Sequence, residues 1–208
     1  TYPSNYLKLC YDTAIKTKAD NVGGLFITQP GGTGYQASLV QALTTHKFGV
    51  GNAGFRIGMP AGKADTVPYG FYKKQIFNTL GLLDERLVRA QDYEFNRRII
   101  KNGGFIWRNP EIHVFYYNQP TLWSFLRKQI ILEAPYNVYM WYLAPYAFAF
   151  RHAITGVFAA GVIGGIILSS FFPLIKVIFL SVMGVYFMLA LFSAIQQANR
   201  YNKSLHIL

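Results

Sequence analysis

The stretch RAQDYEFNRRIIKNGG, residues 89 to 104, sets two carboxylates two positions apart, follows them with paired arginines and closes on two glycines. An ionised carboxylate held in a cleft can accept a proton from an attacking hydroxyl, so the first question is which acid is placed to do so. At helical spacing Asp92, Phe95 and Ile99 share one face, while Glu94 turns to the opposite side. Glu94 stands three and four residues before Arg97 and Arg98, the spacing of solvent-exposed ion pairs worth about a few tenths of a kcal/mol each. Glu94 is therefore read as structural. Asp92 lies in the first turn on the apolar face and points toward the interior or a cleft. Its alternative reading is an N-cap or first-turn acid matched to the helix dipole, and the same dipole favours its ionised form at neutral pH.

No other residue set makes a stronger chemical case. No serine stands in a nucleophile-elbow context, and His46, His113, His152 and His206 are isolated and read as structural or interface residues. Cys10 is the only cysteine, which rules out an internal disulfide and fits a reducing, cytoplasmic setting. The loop QPGGTG lacks the Lys-Ser/Thr of a phosphate cradle and the full dinucleotide pattern, so it reads as a plain loop. Trp107, Tyr116 and Tyr117 have the chemistry to stack on sugar rings, with core packing as their default.

The elements that must position Asp92 alternate. Ser4 can cap a helix with apolar positions at Leu7, Cys10, Tyr11, Ala14 and Ile15. NVGGLFIT, 21 to 28, reads as a strand and QASLVQALTT as a short helix. The stretch 48–70, with six glycines and two prolines, reads as an extended or mobile loop of the sort that lines binding sites. A strand end and a helix closed by Gly81 follow, then the motif helix from about 91 to 102, then β structure interrupted at Pro110. Alternating strands and helices imply an α/β layered domain.

Charge is unevenly distributed. All nine acids and 17 of the 20 bases lie at or before Arg151, giving that region a formal +8 (17 minus 9). Such a part beside an apolar tail favours anionic partners such as headgroups or phosphates. Scattered bases without a binding motif argue against nucleic acid. Residues 127–151 mix tyrosines, Trp141 and apolar residues broken at Pro135 and Pro145, which suits interfacial helices. Two charge-poor runs then flank Lys176, each able to hold about 20 apolar residues, the length of a membrane span. Pro173 and Lys176 fit the turn of a hairpin. Arg151, Arg200 and Lys203 then share the cytoplasmic side by the positive-inside rule. Gly161 with Gly165, and Gly156, Ala160 and Gly164, are spaced for close helix packing.

Several segments together, GVGNAGFR, ADTVPYGFYKKQIF, GLLDERLVRAQDYEFNRRIIKNGGFIWRNPEI and the following YY with TLW, resemble the second half of inverting family-2 glycosyltransferases of GT-A fold. The likeness is to membrane-bound bacterial exopolysaccharide enzymes of the succinoglycan glucosyltransferase type and covers about residues 1–130. It implies a partial, Rossmann-like GT-A domain with a mixed sheet, the C-terminal portion of a glycosyltransferase domain at 1–126. Interfacial aromatic helices at 127–151, a transmembrane hairpin at 152–199 and a cytoplasmic tail at 200–208 complete the expected chain. The resemblance implies that Asp92 is the catalytic base, that Gln91 lines the acceptor site, and that Asn52, Arg56 and Asp65 border donor or acceptor. The implied partners are a nucleotide-sugar donor, of uridine diphosphate type, and a polyprenyl-linked or lipid acceptor at the plasma (inner) membrane. Arg97 and Arg98 read as solvated helix charge.

Two departures qualify the expectation. The family's opening strand and its Asp-x-Asp element, which binds Mg or Mn against the diphosphate, have no counterpart here, so the metal ligands are expected outside this chain and the fragment is expected to be inactive alone. Gln129 is followed by IILE, with Leu132 and Glu133 where a processive synthase carries Arg and Trp. That argues for single-sugar transfer. The rival from another class is a noncatalytic, membrane-tethered interaction subunit derived from such an enzyme.

Overall fold

The computed structural model describes residues 2–202, apart from the side chains of Arg151 and His152. Lys203, His206 and the rest of the tail at 203–208, with those two side chains, lie outside the described residues. Two compact units divide the chain, Thr1–Phe148 and Ala149–Leu208.

In the first unit the order is α1 (Tyr6–Thr17), β1 (Asn21–Gln29), α2 (Tyr35–Thr44), α3 (Lys47–Val50), α4 (Gly54–Ile57), β2 (Gly62–Ala64), β3 (Phe71–Tyr72), α5 (Lys74–Leu80), α6 (Gln91–Lys101) and β4 (Ile106–Tyr117). The four strands form one mixed sheet in the order β2-β4-β1-β3. β4 runs parallel to β1, and the two short strands pair antiparallel on either side. The expected α/β class with a mixed sheet is what the chain adopts.

Pairing of β1 with β4 jumps from Gly23↔Arg108 to Leu25↔His113, so residues 109–112 bulge from the ladder. Pro110 sits in that bulge because it has no N–H to donate to a central ladder. Gly24 faces it at a distance no side chain permits: a Cβ there would collide with the Ile112 carbonyl. Gly24→Ala is expected to cost about 1–3 kcal/mol, the range for overpacking, read as a lowered melting temperature in detergent. An unchanged melting temperature would contradict the close approach.

The core lies between α1 and the sheet, where Tyr6, Cys10, Ala19, Val22, Ile112 and Val114 pack with Leu9, Ala14 and Phe26. Two details of the first helix differ from expectation. Asn5, not Ser4, occupies the N-cap, without a side-chain hydrogen bond. Leu7, Tyr11 and Ile15 are exposed, and the inward face is Tyr6, Cys10 and Thr13. Spacing identified an apolar stripe broader than the sheet covers. The glycine-rich stretch is likewise not one extended loop, since it holds α3, α4 and β2.

After β4 a helical arm begins earlier than expected. It comprises α7 (Leu122–Arg127), a π-helical segment (Lys128–Glu133), α8 (Ala134–Leu143) and a 3₁₀ turn (Pro145–Ala147). Thr121 and Ser124 form a reciprocal capping box at its start. Pro135 does not break the arm. It falls in the first turn of α8, directly after a wide turn in which the Ala134 N–H reaches the Gln129 carbonyl. Widening the turn there accommodates a residue that cannot donate a regular helical bond.

The second unit is a pair of packed helices, α9 (Phe150–Ser169) and α10 (Pro173–Tyr201). Pro173 opens α10, where a missing N–H costs nothing, and Lys176 lies inside that helix rather than in the turn. Phe158 and Tyr186 meet at 4.8 Å between ring centroids. Of the spaced glycines only Gly165 abuts the other helix, at Phe179; Gly156, Gly161 and Gly164 have open space where a Cβ would stand. Pro173–Tyr201 is long and apolar enough to cross a membrane by length and composition, while Ala153–Ser169 is a shorter apolar helix. Among the described residues, one helix meets both criteria.

Candidate active site

Asp92 is the second residue of α6, and its neighbours explain its placement. Ala90, the N-cap, has φ of 61°, a left-handed conformation uncommon outside glycine. This turn starts the helix abruptly after the segment 81–90. That segment is pinned by fully buried Leu87 and by Asp84, whose carboxylate accepts from the Arg86 N–H, Nε and Nη2 at 2.7–3.0 Å. At its far end α6 stops at Gly103, whose φ of 85° reverses the chain into β4.

Below Asp92 the helix is fixed by a buried polar network. Asn96 Oδ1 accepts from Asn21 Nδ2 at 2.7 Å and from the Tyr72 hydroxyl at 3.1 Å, while its Nδ2 donates to Thr66 Oγ1 at 2.9 Å. Gly70 leaves room for the Asn21 amide, into which a Cβ would run. Phe95 stacks on Phe77 at 5.1 Å. Burial raises the Tyr72 hydroxyl's pKa, and the Asp92 charge adds to the shift, against hydrogen bonds with Asn21 and Asn96.

The two acids exchange the roles that helical counting assigns them. Glu94 is 1% exposed, whereas Asp92 reaches solvent. Glu94 accepts from Arg98 Nε at 2.9 Å and Nη2 at 2.5 Å and from the Tyr146 hydroxyl, and Arg98 Nη1 donates to the carbonyls of Leu80 and Leu82. Arg97 donates to the Tyr146 carbonyl at 3.4 Å. Neither arginine is solvated decoration. Counting finds angles around one helix, and the 3₁₀ turn that covers the Glu94 side brings in Tyr146, 52 residues further along the chain.

Asp92 departs from expectation electrostatically as well. Crowding by the surrounding protein lifts its pKa above that of a free aspartate; main-chain N–H groups of Tyr93 and Asp92 oppose the shift, and the Glu133 carboxylate adds to it. The dipole is present but desolvation outweighs it. Because the folded chain binds this proton more tightly than the unfolded chain does, the group's contribution to stability declines as pH rises from 3.8 through the raised value. The Asp92 carboxyl ¹³C resonance, identified by its loss in Asp92→Asn, is expected to titrate above 3.8. A midpoint at or below 3.8 would contradict the crowded placement.

Of the other expected site residues, Gln91 adjoins Asp92 at the helix start, and Arg56, like Asp92, is reached by the charge of Glu133. Arg56 lies on α4 with its guanidinium over the rings of Phe26, Tyr116 and Phe55 at 5.1–5.4 Å. Burial lowers its pKa, while Tyr116 and Glu133 oppose the shift. Asn52 is exposed in the turn between α3 and α4. Asp65 follows β2, supports the charge of Arg108 and directly precedes Thr66 of the network under Asp92.

Sequence reasoning missed the second carboxylate. Glu133 ends the π-helical segment, bonded to Arg89 at 3.2 Å and Lys128 at 3.6 Å, and its charge reaches both Asp92 and Arg56. One signal was available: Glu133 is the last acid in the chain and stands in an apolar, aromatic stretch where a lone charge is costly. Among the described residues no group of three or more His, Cys, Asp or Glu side chains could hold a metal ion. The Asp-x-Asp element of the implied Mg or Mn site has no counterpart in the sequence.

Comparison with known proteins adds one relation. Over 96 residues, 42% of the chain, the sequence is 31% identical to the dolichyl N-acetyl-α-D-glucosaminyl phosphate 3-β-D-2,3-diacetamido-2,3-dideoxy-β-D-glucuronosyltransferase of Methanococcus voltae. The chain is similar to a glycosyltransferase. The aligned part spans 30% of that relative's length. No family model matches the chain, and no solved structure matches it.

Proposed function

We propose that the chain carries the acceptor side of an inverting glycosyl-transfer site of the family-2, GT-A type. A nucleotide-sugar donor, of uridine diphosphate type, gives one sugar to a lipid-linked saccharide acceptor in exopolysaccharide or cell-surface glycan synthesis. Asp92 takes the proton from an acceptor hydroxyl as that oxygen attacks the anomeric carbon. The bond from that carbon to the diphosphate breaks in the same displacement, and the nucleoside diphosphate leaves with the electron pair. Configuration inverts. Gln91, Asn52, Arg56 and Asp65 border the substrates.

The observation that carries this reading is Asp92 itself: a solvent-reaching carboxylate of raised proton affinity on a helix whose Glu94, Asn96 and Arg98 are held in bonds of their own. A base of higher proton affinity is the better acceptor from a hydroxyl. The glycosyltransferase relative supports the reaction class, and its name includes a dolichyl-linked acceptor. The apolar helix supports a membrane setting, which the reading extends to a two-span hairpin in the plasma membrane with Asp92 on the cytoplasmic side. Exposed Trp123, Ile130, Val138 and Tyr142 on the helical arm suit the headgroup level, where such a surface would hold an acceptor near Asp92.

The test is a panel of labelled nucleotide sugars offered to membranes containing the intact protein. Label is expected in the organic-extractable lipid fraction for one donor. Absence of label from every donor would overturn the reading.

A further inference from the structure

Two cationic side chains contact Glu133, and a third stands next to one of them. Arg89 comes from the segment before α6 and Lys128 from the start of the π-helical segment; Arg56, on α4, lies over the ring of Tyr116, whose hydroxyl Lys128 also reaches. Both close pairs fall on the same oxygen, Oε1, at 3.2 Å and 3.6 Å. The Arg98–Glu94 pair in the same molecule shows the contrast, since two guanidinium nitrogens meet two oxygens at 2.9 Å and 2.5 Å. Glu133 is thus shared and loosely held, and its partners keep donors to spare. Arg56 Nη1 is buried without a hydrogen-bond partner. Lys128 Nζ has a second contact on the Tyr116 hydroxyl, at 3.1 Å.

Charge points the same way. The three cations against Glu133 leave a formal +2, and +1 when Asp92 is included. A buried, unpaired guanidinium N–H beside a surplus of positive charge calls for an anion with several acceptor oxygens. A phosphate ester sets its free oxygens tetrahedrally about phosphorus, two on each phosphorus of a diester and four across a diphosphate, able to meet donors arriving from several directions, whereas a single carboxylate meets two in a plane. Glu133 is the last residue of the π-helical turn, a deformation that recurs at functional sites.

We propose that Arg56, Arg89 and Lys128 form a phosphate-ester subsite beside Asp92, in which Glu133 is a displaceable counter-ion. With no ligand the carboxylate holds Arg89 and Lys128; a phosphate group replaces it and also supplies the acceptor that Arg56 Nη1 lacks. The proposal rests on the glycosyl-transfer reading only for the source of the phosphate, which is the donor diphosphate or the phosphate of a lipid-linked acceptor.

Calorimetric titration of the full chain in detergent micelles with inorganic pyrophosphate, and separately with farnesyl phosphate, tests it without turnover. At least one probe is expected to bind, pyrophosphate alone assigning the donor side and farnesyl phosphate alone the acceptor side. Arg89→Gln and Lys128→Gln are each expected to weaken binding about tenfold, and Glu133→Gln to tighten it about threefold, because the competing charge is gone. A carboxylate with only a structural role predicts the opposite sign or no change. Binding of neither probe, unchanged affinity in both cation variants, or unchanged or weaker binding by a folded Glu133→Gln would each overturn the proposal. Should Glu133→Gln fail to fold by circular dichroism, the two cation variants decide. Asp92→Asn is expected to retain probe binding, so loss of transfer with binding intact leaves the subsite standing, and loss of binding with transfer intact removes it alone.

Discussion

Asp92→Asn is expected to lower sugar transfer by about 10²- to 10⁴-fold, the range supplied by a positioned general base. Asparagine keeps the shape of the side chain and an oxygen able to accept from the main-chain N–H groups of residues 92 and 93, so the start of α6 survives the change. What it loses is the capacity to take a proton. Asp92 shares no direct ion pair with a cation among the bonds that hold α6, which run through Asn96, Glu94 and Arg98, so folding and membrane insertion should match the unaltered protein. The measurement is the initial rate of label transfer in membranes at matched protein levels. A rate within a few-fold of the unaltered protein would remove Asp92 as the base and leave it a first-turn acid.

The largest effect on stability is expected six residues further along the same helix. Arg98→Ala strands the Glu94 carboxylate at 1% exposure with only the Tyr146 hydroxyl to answer it, and releases the carbonyls of Leu80 and Leu82. Breaking one side of a buried pair costs about 3–5 kcal/mol, because the remaining charge stays buried without compensation. The knot joins α6, the segment at 80–82 and the 3₁₀ turn at 145–147. Loss should therefore appear as faster amide exchange in all three places together with a lower melting temperature. Adding Glu94→Gln to Arg98→Ala is expected to recover part of the loss, since the stranded group is then neutral. If Arg98→Ala melts with the unaltered protein, the pair is solvated, as counting along the helix had it.

These two predictions sit on neighbouring turns, and the contrast between them measures what a linear reading can see. The boundaries of α6 were legible: a first turn rich in acid, an apolar repeat and a glycine that permits positive φ are local properties. The strand at 21–29, the helix stopped by Gly81 and the interruption at Pro110 were legible for the same reason. Pro135 was misread because proline's local rule permits two outcomes, a break or a place in the first turn of a new helix, and the widened turn before it selected the second.

By itself the sequence determined the principal helices and strands, the α/β class and the apolar C-terminal character, because each depends on residues within a few positions of one another, and the resemblance carried by several segments singled out Asp92. Only the tertiary structure decided which acid is buried, which arginines are free and what surrounds the candidate base. Glu94 is buried by Tyr146, 52 residues away, and Glu133 is brought to Asp92, Arg89 and Arg56 from across more than forty residues. Burial and electrostatic coupling depend on distance in space, and chain folding makes neighbours of residues whose separation in sequence carries no trace of it.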